Sequence, residues 1–191
     1  MTAALNDDFS AQGLGLTVDD LERFPEDGVR RELIDGLLLV CPAPSRAHQK
    51  IASYLERTLE ETCPEHLEVV QGVEIRLGPR RTFIPDVLVI TADAAQHRSR
   101  MYEPHEIALA VEIVSPTSMA IDRVLKPNLY AEAGIPHYWR IEIEDGKILI
   151  LTHALDLVGS YRETGRHADQ LKIDEPWSID IPVSRLMPRF F

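Results

Sequence analysis

Apolar and polar positions along the chain alternate in two distinct periods, and the contrast predicts a mixed sheet with packed helices. Leu109 to Val114 is a short apolar run, β-branched enough to be a strand buried on both faces. Ser115-Pro116 ends it, and Asp122, Lys126 and Tyr130 then recur every four residues, on one face of a helix. Upstream, Thr17 caps a first turn with acids behind it, Leu21 and Phe24 supply its apolar side, and Pro25 stops it. Asp35-Gly36 between Arg30–Ile34 and Leu37–Cys41 predicts a hairpin. Ser45 caps a helix with an apolar stripe of Ile51, Ala52, Leu55 and Leu59, which ends at Cys63-Pro64.

Leu67–Val70 and Val73–Leu77 read as a strand pair or one bent strand. After Gly78-Pro-Arg-Arg81, Thr82–Ile90 reads as a single strand carrying Pro85-Asp86, and Thr91–Glu103 as a polar connection. Gly134 takes the helix C′ position. His137–Ile143 and Lys147–Leu151 pair around Glu144-Asp-Gly146, and shorter apolar pieces follow at Val158–Tyr161, Leu171–Ile173 and Trp177–Ile181. The fold class is α/β in the mixed, α+β sense.

Length and composition narrow the picture. The 191 residues suit one domain, residues 16–191, behind a flexible tail at 1–15. The first residues lack the basic and apolar regions of a secretory signal, and no run approaches a membrane span, so a cytoplasmic protein is expected, without a membrane partner. Cys41 and Cys63 lack CxxC spacing. Lys plus Arg number 20 against 31 Asp plus Glu, a net charge of −11 that argues against a generic nucleic-acid coat.

Glu112 breaks the Leu109–Val114 run, and Asp86 sits in Phe83–Ile90, each an acid among apolar neighbours. An ionised carboxylate in such a place needs a cation or several donors. On adjacent strands the two acids converge, and a divalent cation with a taste for hard oxygen, Mg²⁺ or Mn²⁺, would neutralise both. The plainer alternative has Asp86 capping the turn after Pro85 and Glu112 paired with an Arg. Asp122 and Lys126, four residues apart, could equally be solvated helix decoration. Glu32 after Arg30-Arg31 fits a surface pair, and His48 in the first turns of its helix fits a surface or capping residue. Phe24, Trp139 and Trp177 read as core. There is no Gly-rich phosphate loop, no GxSxG and no HxxxH or HxH.

In order along the chain stand Glu32-Leu-Ile-Asp-Gly36, Ser45-Arg-Ala-His48, Pro85-Asp86, Val111-Glu-Ile-Val-Ser-Pro116, Asp122, Lys126, Tyr130 and Ala133-Gly-Ile-Pro-His-Tyr-Trp139. Together they resemble the Uma family of putative restriction endonucleases, within the PD-(D/E)XK nuclease superfamily, over roughly Leu16 to Tyr161. The resemblance implies a restriction-endonuclease-like core, a central mixed sheet flanked by helices. It implies DNA as substrate and Mg²⁺-dependent phosphodiester hydrolysis. Asp86 and Glu112 would be metal acids, Glu32 a further acid near the metal, and Lys126 the catalytic cation. His48, Ser115 and Tyr130 would hold these groups in place.

Two departures stand out. The superfamily pattern places its Lys where this chain has Val114, and Pro127 follows Lys126, so the helix either starts near Lys126 or kinks there. Arg30, Arg31, Arg80, Arg81, Arg98, Arg100 and Arg123 are candidates for a phosphate rim. Lys147–Leu151, Trp177 and Phe190-Phe191 offer apolar surface for a homodimer. A degenerate nuclease fold serving as an interaction module, and a hydrolase of a smaller phosphate ester, remain as alternatives.

Overall fold

The computed structural model describes residues 15–97, 99–116 and 118–190. Most of the expected tail, together with Arg98 and Phe191, lies outside the described residues. The elements run α1 (Val18–Leu21), β1 (Arg30–Ile34), β2 (Leu37–Cys41), α2 (Arg46–Glu60), β3 (Leu67–Val70), β4 (Glu74–Gly78), β5 (Arg81–Phe83), β6 (Val87–Thr91), α3 (Ala92–Gln96), β7 (Met101–Tyr102) and β8 (Ile107–Ile113). A π-helical turn at Ile121–Leu125 leads into α4 (Lys126–Glu132), followed by β9 (His137–Glu144), β10 (Lys147–Leu155), β11 (Tyr161–His167), β12 (Gln170–Ile173) and β13 (Ile179–Pro182).

Two sheets carry the architecture: a six-stranded one, β11-β10-β9-β8-β6-β3, and a five-stranded one, β2-β1-β5-β4-β7. In the larger sheet β8 and β9 run parallel and their neighbours antiparallel, so it is mixed. Alternation along its central strands sorts the core. Val87, Val89, Leu109, Val111 and Ile113 face α2 residues Ile51, Leu55 and Leu59, with Leu171 and Ile179 from the β12–β13 ribbon closing that side. Leu88, Ile90 and Ala110 face the other way, onto Phe83 and Ile75 of the smaller sheet and Leu129 and Tyr130 of α4.

Local chemistry explains most boundaries. Asp35 and Gly36 both adopt positive φ (53° and 86°), as do Asp145 and Gly146 (48° and 71°), the backbone a two-residue hairpin demands. The Ser45 side chain accepts from the His48 amide and starts α2. Gly134, at φ 84°, lies just past the end of α4.

Four expectations are corrected. Thr82–Ile90 is not one strand: β5 and β6 belong to different sheets, divided at Ile84-Pro85-Asp86. Pro85 has no N–H for a ladder, and side chains take the Ile84 backbone groups, as described below. β3 and β4 likewise join different sheets, across a turn in which Gly72 takes φ 68°. Val158 lies in an exposed turn, and the strand there is β11, too polar to stand out by pattern. Phe24 is only half-buried, with the Arg31 guanidinium 5.0 Å from its ring centre, whereas Trp139 and Trp177 are buried.

The apolar face expected of the late hairpin is used within the chain, because β10 lies between β9 and β11. Among the described residues, no helix is long and apolar enough to cross a membrane.

Candidate functional site

The site lies at the ends of β6 and β8, where the larger sheet turns toward the smaller. Val87 pairs with Val111, which sets Asp86 opposite Glu112. Asp86 stands in the break just before β6 and its carboxylate reaches His48 of α2. The Asp86 amide donates to the Val111 carbonyl at 3.1 Å. Glu32 reaches in from β1 and Lys126 from the start of α4.

Lys126 is the hub. Its Nζ lies 3.0 Å from Glu112 Oε1, 3.4 Å from Glu32 Oε1 and 3.4 Å from Asp122 Oδ1, and all four side chains are buried. The ammonium also stands 5.6 Å from the centre of the Phe83 ring. Burial alone would pull the Lys126 pKa down, but Glu112, Glu32 and Asp122 outweigh it and hold the amine well above its usual range. Glu112 is pushed well above the usual carboxylate range by burial, which the Lys126 charge offsets only in part. Burial raises Asp122 in the same way. The solvated-decoration reading of Asp122 and Lys126 does not fit this placement.

Tyr130, one turn along α4 from Lys126, donates from its hydroxyl to Glu112 Oε1 at 2.6 Å. Its ring meets Phe83 edge-on, with centres 5.8 Å apart. Glu32 Oε1 accepts from the Ile84 amide at 2.9 Å, while Arg30 donates to the Ile84 carbonyl at 2.6 Å. The strand break that frees Asp86 is thereby held by the site's own side chains.

Asp86 Oδ2 accepts from the Ile113 amide at 2.8 Å and lies 3.1 Å from His48 Nε2. His48 Nε2 is also 3.0 Å from the Ile113 carbonyl. Burial would lower the His48 pKa, but Asp86 and that carbonyl prevail and raise it. The His48 ring is therefore built into the centre and is not a surface residue. Ser115 lines the cleft, its hydroxyl 2.8 Å from that of Ser118. Ser118 in turn hydrogen-bonds the Asp122 carboxylate.

All seven residues singled out by sequence thus lie at or beside one cleft. Asp122, which stands in the same ordered set and forms a four-residue pair with Lys126 that could equally be helix decoration, joins them. Its signal was the four-residue interval to Lys126, indistinguishable from a surface pair until burial is known. Phe83 and the Ile84 backbone carried no signal.

The expected phosphate rim does not assemble. Arg31 pairs with Asp27 at 2.7 Å, Arg81 with Glu132 at 3.0 Å, Arg100 with Glu26 at 3.1 Å and Arg123 with Glu142 at 2.7 Å. Arg80 donates to the Asp35 carbonyl at 2.8 Å. Of the described members of that set only Arg30 borders the cleft, 3.9 Å from Asp86.

The donor chemistry fits a hard divalent cation. Four carboxylates, Glu32, Asp86, Glu112 and Asp122, line the cleft or its floor beside Lys126 and Arg30, an excess of acids over cations at a largely buried centre. Among the described residues, no three His, Cys, Asp or Glu side chains already converge as a ligand set. Asp86 and Glu112 supply two acids, the number Mg²⁺ commonly takes from protein while keeping several waters.

The chain matches the model of a known family over residues 18–181: Uma2, described as "Putative restriction endonuclease". A solved structure with a similar fold is that of a putative nuclease belonging to DUF820 from Anabaena variabilis ATCC 29413. Its TM-score is 0.73 at 15% identity, covering 91% of this chain and 98% of that one. No curated protein matches the sequence.

Proposed function

This chain belongs to the Uma2 family, and on that premise we propose that it is an endonuclease hydrolysing phosphodiester bonds in DNA with Mg²⁺ or Mn²⁺. The observation that carries the reading is the buried ammonium of Lys126, bonded to Glu112 and standing beside Asp86 at an open cleft. A structural ion pair has no need of so many acids on one side of a sheet or of access from solvent.

Asp86 and Glu112 would hold the cation, with Glu32 behind them. When bound, it supplies Lewis-acid activation of the scissile phosphate and of water. The chain's own residues do the rest. Lys126, kept protonated by its acid neighbours, would turn one of its three N–H donors from them to a phosphate oxygen as charge builds in the transition state. Glu32 and Asp122 hold its Nζ from two sides, and Phe83 lies beneath it. His48 and the Ile113 amide fix the orientation of Asp86, and the Tyr130 hydroxyl fixes that of Glu112.

Calorimetric titration with Mn²⁺ tests the metal directly. Binding is expected in the parent protein and is expected to vanish in Asp86→Ala and in Glu112→Ala. Unchanged binding in both variants would reject the assignment.

A further inference from the structure

The cleft, of about 340 Å³, is lined beside the carboxylates by Leu39, Val40, Pro42, Ala43 and Pro44, and by Ile121. The stretch from Leu37 to Pro44 holds no charged residue. Its one titratable group is the Cys41 thiol, pushed up to about 12 by burial and by Glu32, and so neutral. β2 is the edge strand of its sheet, which leaves Val40 56% exposed, and Pro42 and Ala43 are exposed as well. A carboxylate centre therefore shares one cleft with an uncharged, solvent-accessible wall.

A DNA duplex presents a ridge of phosphates and is gripped by cations that replace its counterions. This chain has a net charge of −11. Arg31, Arg81, Arg100 and Arg123 are paired with its own acids. An unpaired strand asks for less: one phosphate at the carboxylates, and a surface for the apolar face of a base that no longer stacks on its neighbours. Resting on the nuclease reading of the carboxylate site, we infer that the substrate is an unpaired strand. The base beside its scissile phosphate lies against the Leu39–Pro44 wall.

One labelled sequence, offered in Mg²⁺ as a free strand and as a full duplex, tests this, with bis(p-nitrophenyl) phosphate as a third substrate. The free strand is expected to be cut with kcat/KM about tenfold or more above the duplex and the small diester, the scale of burying one base face against aliphatic side chains. Leu39→Ser, at the strand position opposite Glu32, and Ala43→Trp, at an exposed one, are expected to shift KM for the free strand in opposite directions. The first raises it and the second lowers it, each by about threefold or more, with kcat unchanged. Binding to the parent protein of a strand carrying 2-aminopurine, with Ca²⁺ in place of Mg²⁺ and read by the rise in fluorescence as the base leaves its stack, should follow the same order without any need for turnover.

A duplex cut as well as the free strand, an equally rapid small diester, or wall variants with parental KM would each overturn the inference while leaving the nuclease reading in place. No cleavage of any of the three by the parent protein would remove the nuclease reading, and the inference with it.

Discussion

At the scale of single residues, Lys126 decides between a stabilising and a catalytic account of the centre. An exposed Asp–Lys pair at this interval is worth at most about 0.5 kcal/mol. Lys126 is 5% exposed and touches three buried acids, so Lys126→Met strips the charge from a cage that cannot be rehydrated. The expected cost is about 3–5 kcal/mol in urea unfolding. Turnover is expected to fall by about 10²–10³, the usual cost of one transition-state donor, while Mn²⁺ binding persists. Parental turnover in Lys126→Met would show that the ammonium only holds the fold.

Among the elements, the turn that delivers Lys126 is the unusual one. Ile121–Leu125 is π-helical, and the Lys126 amide donates to the Ile121 carbonyl five residues back. Pro127 follows. Lys126 nonetheless keeps helical angles (φ −58°, ψ −47°), as does Leu125 before it (φ −73°, ψ −56°). The helix therefore does not start at Lys126 but runs through Lys126-Pro127, with the π turn as the irregularity just ahead of the proline. In the same ladder Pro127 would donate to Asp122, but it has no N–H. The Asp122 carbonyl accepts from the Tyr138 hydroxyl instead, at 2.7 Å. A side chain of β9 thus completes the turn that aims Asp122 and Lys126.

Tyr138→Phe would leave that carbonyl buried and unpaired, and the expected loss is about 1–3 kcal/mol of stability, with kcat reduced more than KM. Pro127→Ala restores a donor that can redraw the turn. It should lower turnover and leave the Mn²⁺ isotherm unchanged. Equal activity in both variants would mean that the turn does not set the aim of Lys126.

At the scale of the whole molecule, charge and apolar surface set the expectations. With the described arginines of the expected rim mostly engaged by the chain itself, few phosphates can be neutralised. A plot of log affinity against log salt for a free strand is expected to have a slope of about −1 to −2. A slope of −5 or steeper would reveal a cationic surface that the ion pairs conceal. With β10 internal and Trp177 buried, Phe190, 66% exposed, is what remains among the described residues of the apolar surface expected to pair two copies. Sedimentation at micromolar concentration is expected to show two 21.6 kDa chains moving together. The single-chain species alone would reject the homodimer.

What the sequence determined by itself was local. Asp35-Gly36 and Asp145-Gly146 dictate hairpins through backbone angles few other pairs tolerate, and the stripe Ile51, Leu55, Leu59 behind Ser45 dictates α2. The cost of burying Glu112 and Asp86 marked both before any geometry was known. What only the tertiary structure decided was who meets whom. Whether Thr82–Ile90 stays one strand depends on Glu32 and Arg30, more than 50 residues away, capturing the Ile84 backbone. Whether Asp122 and His48 decorate a surface or build a centre depends on what packs over them. Arg100 and Arg81, among the described arginines, pair with acids distant in the chain, Glu26 and Glu132, and do not line the cleft. Turn chemistry and periodicity act within a few residues; burial and pairing are properties of the folded whole, and they assign the same side chains their work.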